Sequence, residues 1–444
     1  MPDKNQRGRH IYKIALIAKT LIRILIMYKR PTSFFRNYNS SVYENVIRPY
    51  NLTNKRLIPE VINGIKRLHF KFGHKKIIID LQNIERVFPY PTVPVAGYIH
   101  YFKEVLNVDF EFINVPTYLR KIHFLSPDDI NKTSTGLGTN FLDRIWLFHT
   151  STDVHMLVNG FLSSIRKSCF VEEGILQACE WGLNEIMDNV IQHSKENVGF
   201  VMAQVLKESQ VLKVSIFDYG QGIFESLRNS NYKPRHASDA ISLAVQEGVT
   251  RDKKIGQGNG MWGLYNIIHL NDGMLQITSG NGGLNFINRT KTTESYQSII
   301  MLSPKQQSTA INFDIKLNNP ISMKEALGGY EPIDLFIENL EDEHDKIVYR
   351  IIDQASGTGT RQSGERIRNE ILNIYKSAKK PVILDFEGIG IIASSFADEF
   401  IGKLVQDLGL FQFQAAFPMK NMNGTIQAIV QRSLSQRLSE NLSN

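Results

Sequence analysis

The chain has 444 residues, which predicts two or three domains, and its 42% hydrophobic and 21% charged residues exclude a largely disordered protein. Its two cysteines, Cys169 and Cys179, exclude a disulfide framework and a cysteine-rich zinc site, and fit a reducing, cytoplasmic compartment. The net charge of +7 resides in residues 1–43, where nine Lys or Arg face Asp3 alone; the near-neutral body argues against specific nucleic-acid binding.

In chain order, the stretch from Ile11 to Tyr28 is apolar except for Lys13, Lys19, Thr20 and Arg23. At about 100° per residue those four share roughly a third of a helical circumference. A helix with a wide apolar face and a basic stripe is expected, ended by Pro31. Its cations disfavour a membrane span, and no secretory cleavage pattern follows. Contact with a membrane surface or a partner through residues 11–28 is one use. Packing on the chain's own domain, or at a dimer interface, is the other.

Residues 77–102 then read as a buried strand, a turn and a helix, followed by an alternating strand, VDFEFINVP, at 108–116. Further on, the apolar spacing predicts a long helix over 172–193, on which Glu185, Asn189 and His193 stack four residues apart. A carboxylate and an amide on one stripe suit a magnesium–triphosphate, although a solvated helix face offers the same pattern. VLKVSIFDYGQGI (211–223) predicts a strand ending in Asp218, with Gly220 and Gly222 after it. A strand-end aspartate can accept from an exocyclic amine, and it can equally close an ordinary turn. IGQGNGMWGLYNII (255–268) runs Gly256, Gly258, Gly260 and Gly263 into an apolar helix, which presents backbone amides to phosphate. It is neither a Walker A loop nor a dinucleotide fingerprint. A strand, INFDIKL, is expected at 311–317 and a linker, LGGYEPI, at 327–333.

The last third contains VILDFEGIGIIASSFADEFIGKLVQD (382–407), again strand, turn and amphipathic helix, and then FQFQAAFP (411–418), read as an alternating strand. It aligns without a gap on 77–102, placing Asp385 on Asp80, Ile389 on Ile84 and Gly402 on Gly97. An internal duplication flanking a central domain is expected.

Order and spacing of the three central motifs resemble the GHKL superfamily, the ATP-binding domains of gyrase, heat-shock chaperones, histidine kinases and MutL. NEIMDNVIQH (184–193) resembles the N box, DYGQGI (218–223) the first glycine box and GQGNGMWGL (256–264) the second. The resemblance implies ATP and Mg2+ as ligands, Glu185 as general base and Asn189 as magnesium ligand. It implies Asp218 as adenine reader, with Gly220 and Gly222 shaping the pocket, and Gly256, Gly258 and Gly260 around the phosphates. It makes 225–255 a lid from which Lys253 or Lys254 reaches phosphate, and Thr309 a water-mediated adenine contact. The second box departs from the kinase-like Gly-x-Gly-Leu-Gly-Leu, since Gly260 and Gly263 straddle Met261 and Trp262.

Segment 340–435 resembles the STAS-like domains of unknown function that follow GHKL domains in some prokaryotic proteins. In related anti-anti-sigma factors the strand-to-helix corner carries a phosphorylated serine. Here Ser394 and Ser395 occupy the corner, with Ala393 and Phe396 in place of the usual acid and glycine. Ser395 is therefore either a phosphoacceptor or a helix cap, and the cap is the preferred reading. The expected fold class is α/β: a central GHKL-type sandwich flanked by two small STAS-like domains. The expected divisions are a basic segment at 1–43, a degenerate STAS-like domain at 44–130, the ATP domain at 131–325 and a STAS-like domain at 335–444.

An ATP-operated, slowly hydrolysing switch in prokaryotic signalling or defence leads, its STAS-like modules contacting a protein partner or a second copy. A serine kinase of anti-sigma type and a non-catalytic ATP-binding scaffold are the alternatives. No dimerisation helix bearing a phosphoacceptor histidine precedes the domain, which argues against a histidine kinase. No transducer with a basic DNA path follows it, which argues against topoisomerase-like work.

Overall fold

Apolar residues gather into three clusters, and their membership defines how the chain is built. The computed structural model describes residues 41–442 except 51, 53–56, 137–138, 195–196, 229, 250–258, 296–306, 331–334 and 356. The helix expected at 11–28 thus lies outside the described residues. So do Lys253, Lys254, Gly256 and Gly258. Among the described residues no helix is long and apolar enough to cross a membrane. The chain is mixed α/β.

The N-terminal part has strands β1 (Ser41–Tyr43), β2 (Val46–Arg48), β3 (Lys76–Asp80) and β4 (Asp109–Ile113), in that spatial order. β1 and β2 form a hairpin, whereas β2, β3 and β4 run parallel. Parallel strands need crossovers. Helix α1 (Leu57–Lys66) provides the first and α2 (Pro89–Glu104) the second. Pro89 sits at the start of α2, where its missing N–H costs nothing. The helix is apolar nearly all round and buries twelve of its sixteen residues. Such a helix needs cover on more than one side.

That cover is the central sheet. Strands β5 (Asp128–Asp129), β6 (Trp146–Phe148), β7 (Gly199–Leu206), β8 (Val211–Asp218), β9 (Met274–Ser279), β10 (Gly282–Ile287), β11 (Thr290–Ser295) and β12 (Thr309–Lys316) form it. Their spatial order is β11-β10-β9-β12-β8-β7-β6-β5. Every pairing is antiparallel except β5 with β6. Side-chain alternation gives the sheet two apolar faces. Val214, Ile216 and Ile311 face helices α3 (Ser151–Ser168), α4 (Ile175–His193) and α5 (Gly260–Leu270). Phe200, Phe217 and Ala310 face the other way and share one cluster with α2. Among the described residues, segment 44–130 therefore has no apolar core separate from the central sheet.

In the C-terminal part, β13 (Ile347–Arg350), β14 (Val382–Asp385) and β15 (Met419–Lys420) form a parallel sheet. Helix α6 (Arg361–Ala378) connects the first two. The expected strand at 411–418 is a helix, Leu410–Ala416, and the strand follows it as β15. Phe413, Ala416 and Phe417 are buried at three- and four-residue spacing while Phe411 is 88% exposed. The FQFQ alternation masks this helical period. α6 also docks on the central domain. The Asn373 side chain donates to the carbonyls of Arg166 (3.0 Å) and Cys169 (2.9 Å), and accepts from the Val171 amide at 2.9 Å. Lys376 pairs with Glu172, and Lys379 with Glu173.

Candidate functional site

β8 carries Asp218 to the end of the sheet. Strand register sets Thr309 of β12 opposite Asp218, and Ser279 of β9 opposite Thr309. The three polar residues thus form a row across adjacent strands. Ser279 and Thr309 hydroxyls hydrogen-bond at 3.1 Å. The Ser279 hydroxyl also accepts from the Ile223 amide at 2.8 Å. One Asp218 carboxylate oxygen accepts from the Gly220 amide at 2.8 Å. Burial outweighs that bond and pushes the Asp218 carboxyl up to about 7.

Above this row stands α4, with Glu185 and Asn189 one turn apart. Burial raises the Glu185 pKa, and neighbouring Asp188 raises it further. Gly260 opens α5 where a Cβ would run into the Glu185 carboxylate. Gly222 takes φ +77°, and a Cβ there would press on Gln307 and Ser279 at 2.8 and 2.9 Å. Both positions need glycine for close approach.

Glu185, Asn189, Asp218, Gly222, Gly260 and Thr309 all line one cavity of about 660 Å³. Its size falls within the range of small-molecule and cofactor sites. Gly220 does not line it; Gly220 holds the Asp218 carboxylate and packs on Ser194, where a Cβ would collide. The 225–255 stretch contributes Ser226, Leu227, Ala244 and Val249 to the wall, partly from the helices Gly222–Leu227 and Ala237–Ala244.

Sequence reasoning missed part of the lining. Trp181, Asp188, Trp262, Leu327 and Tyr330 also line the cavity. Trp181 stands one turn before Glu185 on α4, so the same four-residue spacing would have found it. Its ring lies 6.0 Å from that of Tyr330. The segment expected as a linker therefore begins as cavity wall.

At the C-terminal corner the preferred reading of Ser395 as a cap fails. The N-cap position is Ala393, and no side chain caps the helix Ser394–Ala397. Ser394 and Ser395 occupy its first turn with exposed side chains. The corner backbone is held instead by Thr358, whose carbonyl accepts from the Ala393 amide at 2.9 Å.

The parallel sheet, with α6 leading into β14 and the helical turn following it, frames one recognisable unit. Residues 363–427 match the STAS-like domain of unknown function (DUF4325). This STAS-like domain supplies α6, and with it the contact to the central domain. No curated protein matches the chain.

Proposed function

We propose that the central cavity binds ATP with magnesium and that the chain works as an ATP-operated switch. The observation carrying this reading is the convergence of Glu185, Asn189, Asp218 and Thr309, from three distant segments, on one cavity. The GHKL resemblance gives those four residues complementary tasks, and the α/β layers around the cavity are compatible with it. Asp218 would read the adenine amine. Asn189 would ligate magnesium through its amide oxygen. Glu185, its pKa raised by burial, suits a base that takes a proton from attacking water. Among the described residues no three His, Cys, Asp or Glu side chains cluster to hold a metal ion. Magnesium would arrive with the triphosphate, as is usual for that ion.

The partner-facing element of the switch would be the STAS-like domain, acting on a protein or a second copy in the cytoplasm or, through residues 11–28, at a membrane surface. A second reading, protein serine kinase, gains from the exposure of Ser394 and Ser395. One experiment separates the two. Incubated with γ-labelled ATP, a switch releases phosphate and stays unlabelled, whereas a kinase labels Ser394 or Ser395. Failure to bind ATP, or equal affinity for GTP, would overturn the adenine-reading role of Asp218.

A further inference from the structure

The back of the nucleotide wall is built by the N-terminal part of the chain. Tyr98 of α2 is fully buried, and its hydroxyl hydrogen-bonds that of Ser308 at 2.5 Å. Its ring packs on Phe217, with centroids 4.8 Å apart. Gly97 permits this approach, because a Cβ there would run into the Phe217 ring. Phe217 and Ser308 are the immediate neighbours of Asp218 and Thr309. Tyr98 therefore braces, from behind the sheet, the two residues that stand opposite each other at the cavity.

Ser308 is the point where that brace matters. Its backbone is left-handed, with φ +53°, a conformation that a non-glycine residue holds only when its surroundings fix it. Its amide donates to the Gly220 carbonyl at 3.0 Å, and its carbonyl accepts from the Ser279 hydroxyl at 3.1 Å. One residue thus ties together the glycine that holds the Asp218 carboxylate, the serine that bonds Thr309, and the tyrosine of α2.

We propose that Tyr98 is a positioning residue for the nucleotide base: it fixes Ser308, and through it the alignment of Thr309 and Ser279 with Asp218. The N-terminal part is then a component of base selection as well as of the core. This rests on the nucleotide reading given above.

The test uses the full-length protein, with ATP and GTP affinities and melting temperature measured for Tyr98→Phe, Ser308→Gly and the double variant. Phenylalanine keeps the ring on Phe217, and glycine keeps the left-handed backbone. Loss of one neutral hydrogen bond corresponds to roughly two- to tenfold. The expected result is that loss in ATP affinity for Tyr98→Phe, with GTP affinity unchanged, so that discrimination between the bases narrows. The double variant should lose no more than the worse single variant, because both remove one contact. ATP binding by the wild type that Tyr98→Phe leaves unaltered, or equal losses for ATP and GTP, would overturn the role of Tyr98 alone. No ATP binding by the wild type would overturn the nucleotide reading, and this proposal with it.

Discussion

Asn114 donates its side-chain amide to Asp80 at 2.9 Å, and Asn421 makes the same bond to Asp385 at the same distance. In each case the aspartate ends the middle strand of a parallel trio and the asparagine follows the third strand. Both asparagines are left-handed, with φ +53° and +58°. Each aspartate also accepts from the amide two residues on, that of Gln82 or Glu387. Shared topology and a shared clamp favour the duplication expected from the aligned sequences 77–102 and 382–407. Of the clamp's own residues, the gapless alignment pairs the two aspartates and leaves the two asparagines out of register.

These clamps hold buried carboxylates in the ionised form. Burial opposes ionisation of Asp385, but the Glu387 amide, Asn421 and Lys420 together keep its pKa below the usual value. Its stabilising contribution is present above the ordinary carboxylate pKa and is lost as pH falls through the depressed one. Asn421→Gly, which preserves the left-handed backbone, should cost about 1–3 kcal/mol at pH 7. The difference from wild type should shrink in acid, as read by denaturant unfolding at several pH values.

Asp218 behaves oppositely. Burial raises its pKa from 3.8 to about 7, so folding takes up a proton between those values and stability falls as pH rises through them. Asp218→Asn should therefore be more stable than wild type at pH 8, by on the order of 4 kcal/mol. If Asp218 accepts from the base as proposed, ATP affinity of the wild type should move the other way, strengthening toward pH 8 as the carboxylate becomes ionised. Thermal melting and ligand titration over pH 5–8 check both signs.

Glu185→Ala should retain ATP and slow any turnover by roughly 10²–10⁴-fold. Asn189→Ala should lose the magnesium-dependent part of binding instead. Phosphate release and equilibrium binding, measured with and without the metal, separate the two residues. Undiminished release from Glu185→Ala would assign the base elsewhere.

Local chemistry made part of this site legible. α4 and β8 could be read because their apolar periods are clean, and Asp218 because it closes a strand before two glycines. Thr309 could only be guessed, since its place opposite Asp218 depends on pairing between strands 91 residues apart in sequence. Tyr98 gave no signal. It sits in a helix that is apolar nearly all round and begins with three prolines within six residues, Pro89, Pro91 and Pro94. Such a pattern shows burial without showing against what. Ser395 does not cap, although serine near a helix start usually does, because the N-cap position lies two residues earlier, at Ala393.

Docking of the STAS-like domain concentrates on Asn373, which is buried and serves two carbonyls and one amide. Asn373→Ala would strand all three groups, at a cost of at least about 2 kcal/mol. Hydrogen exchange should accelerate at the Val171 amide and along the face of α6 toward α3, while exchange in β8 and β12 stays slow. Uniform acceleration would mean that the domain's contact and the central fold melt as one unit.

The chain has three tryptophans. Trp146 is fully enclosed in the core, whereas Trp181 and Trp262 both line the cavity. Two of the three indoles therefore stand beside Glu185 and the segment leading to the STAS-like domain. A ligand entering there changes the polarity and quenching around two of the three fluorophores. Occupancy can then be followed in the unmodified protein without label or coupled assay. Trp181→Phe and Trp262→Phe would apportion the signal between the helix that carries Glu185 and the one that begins at Gly260.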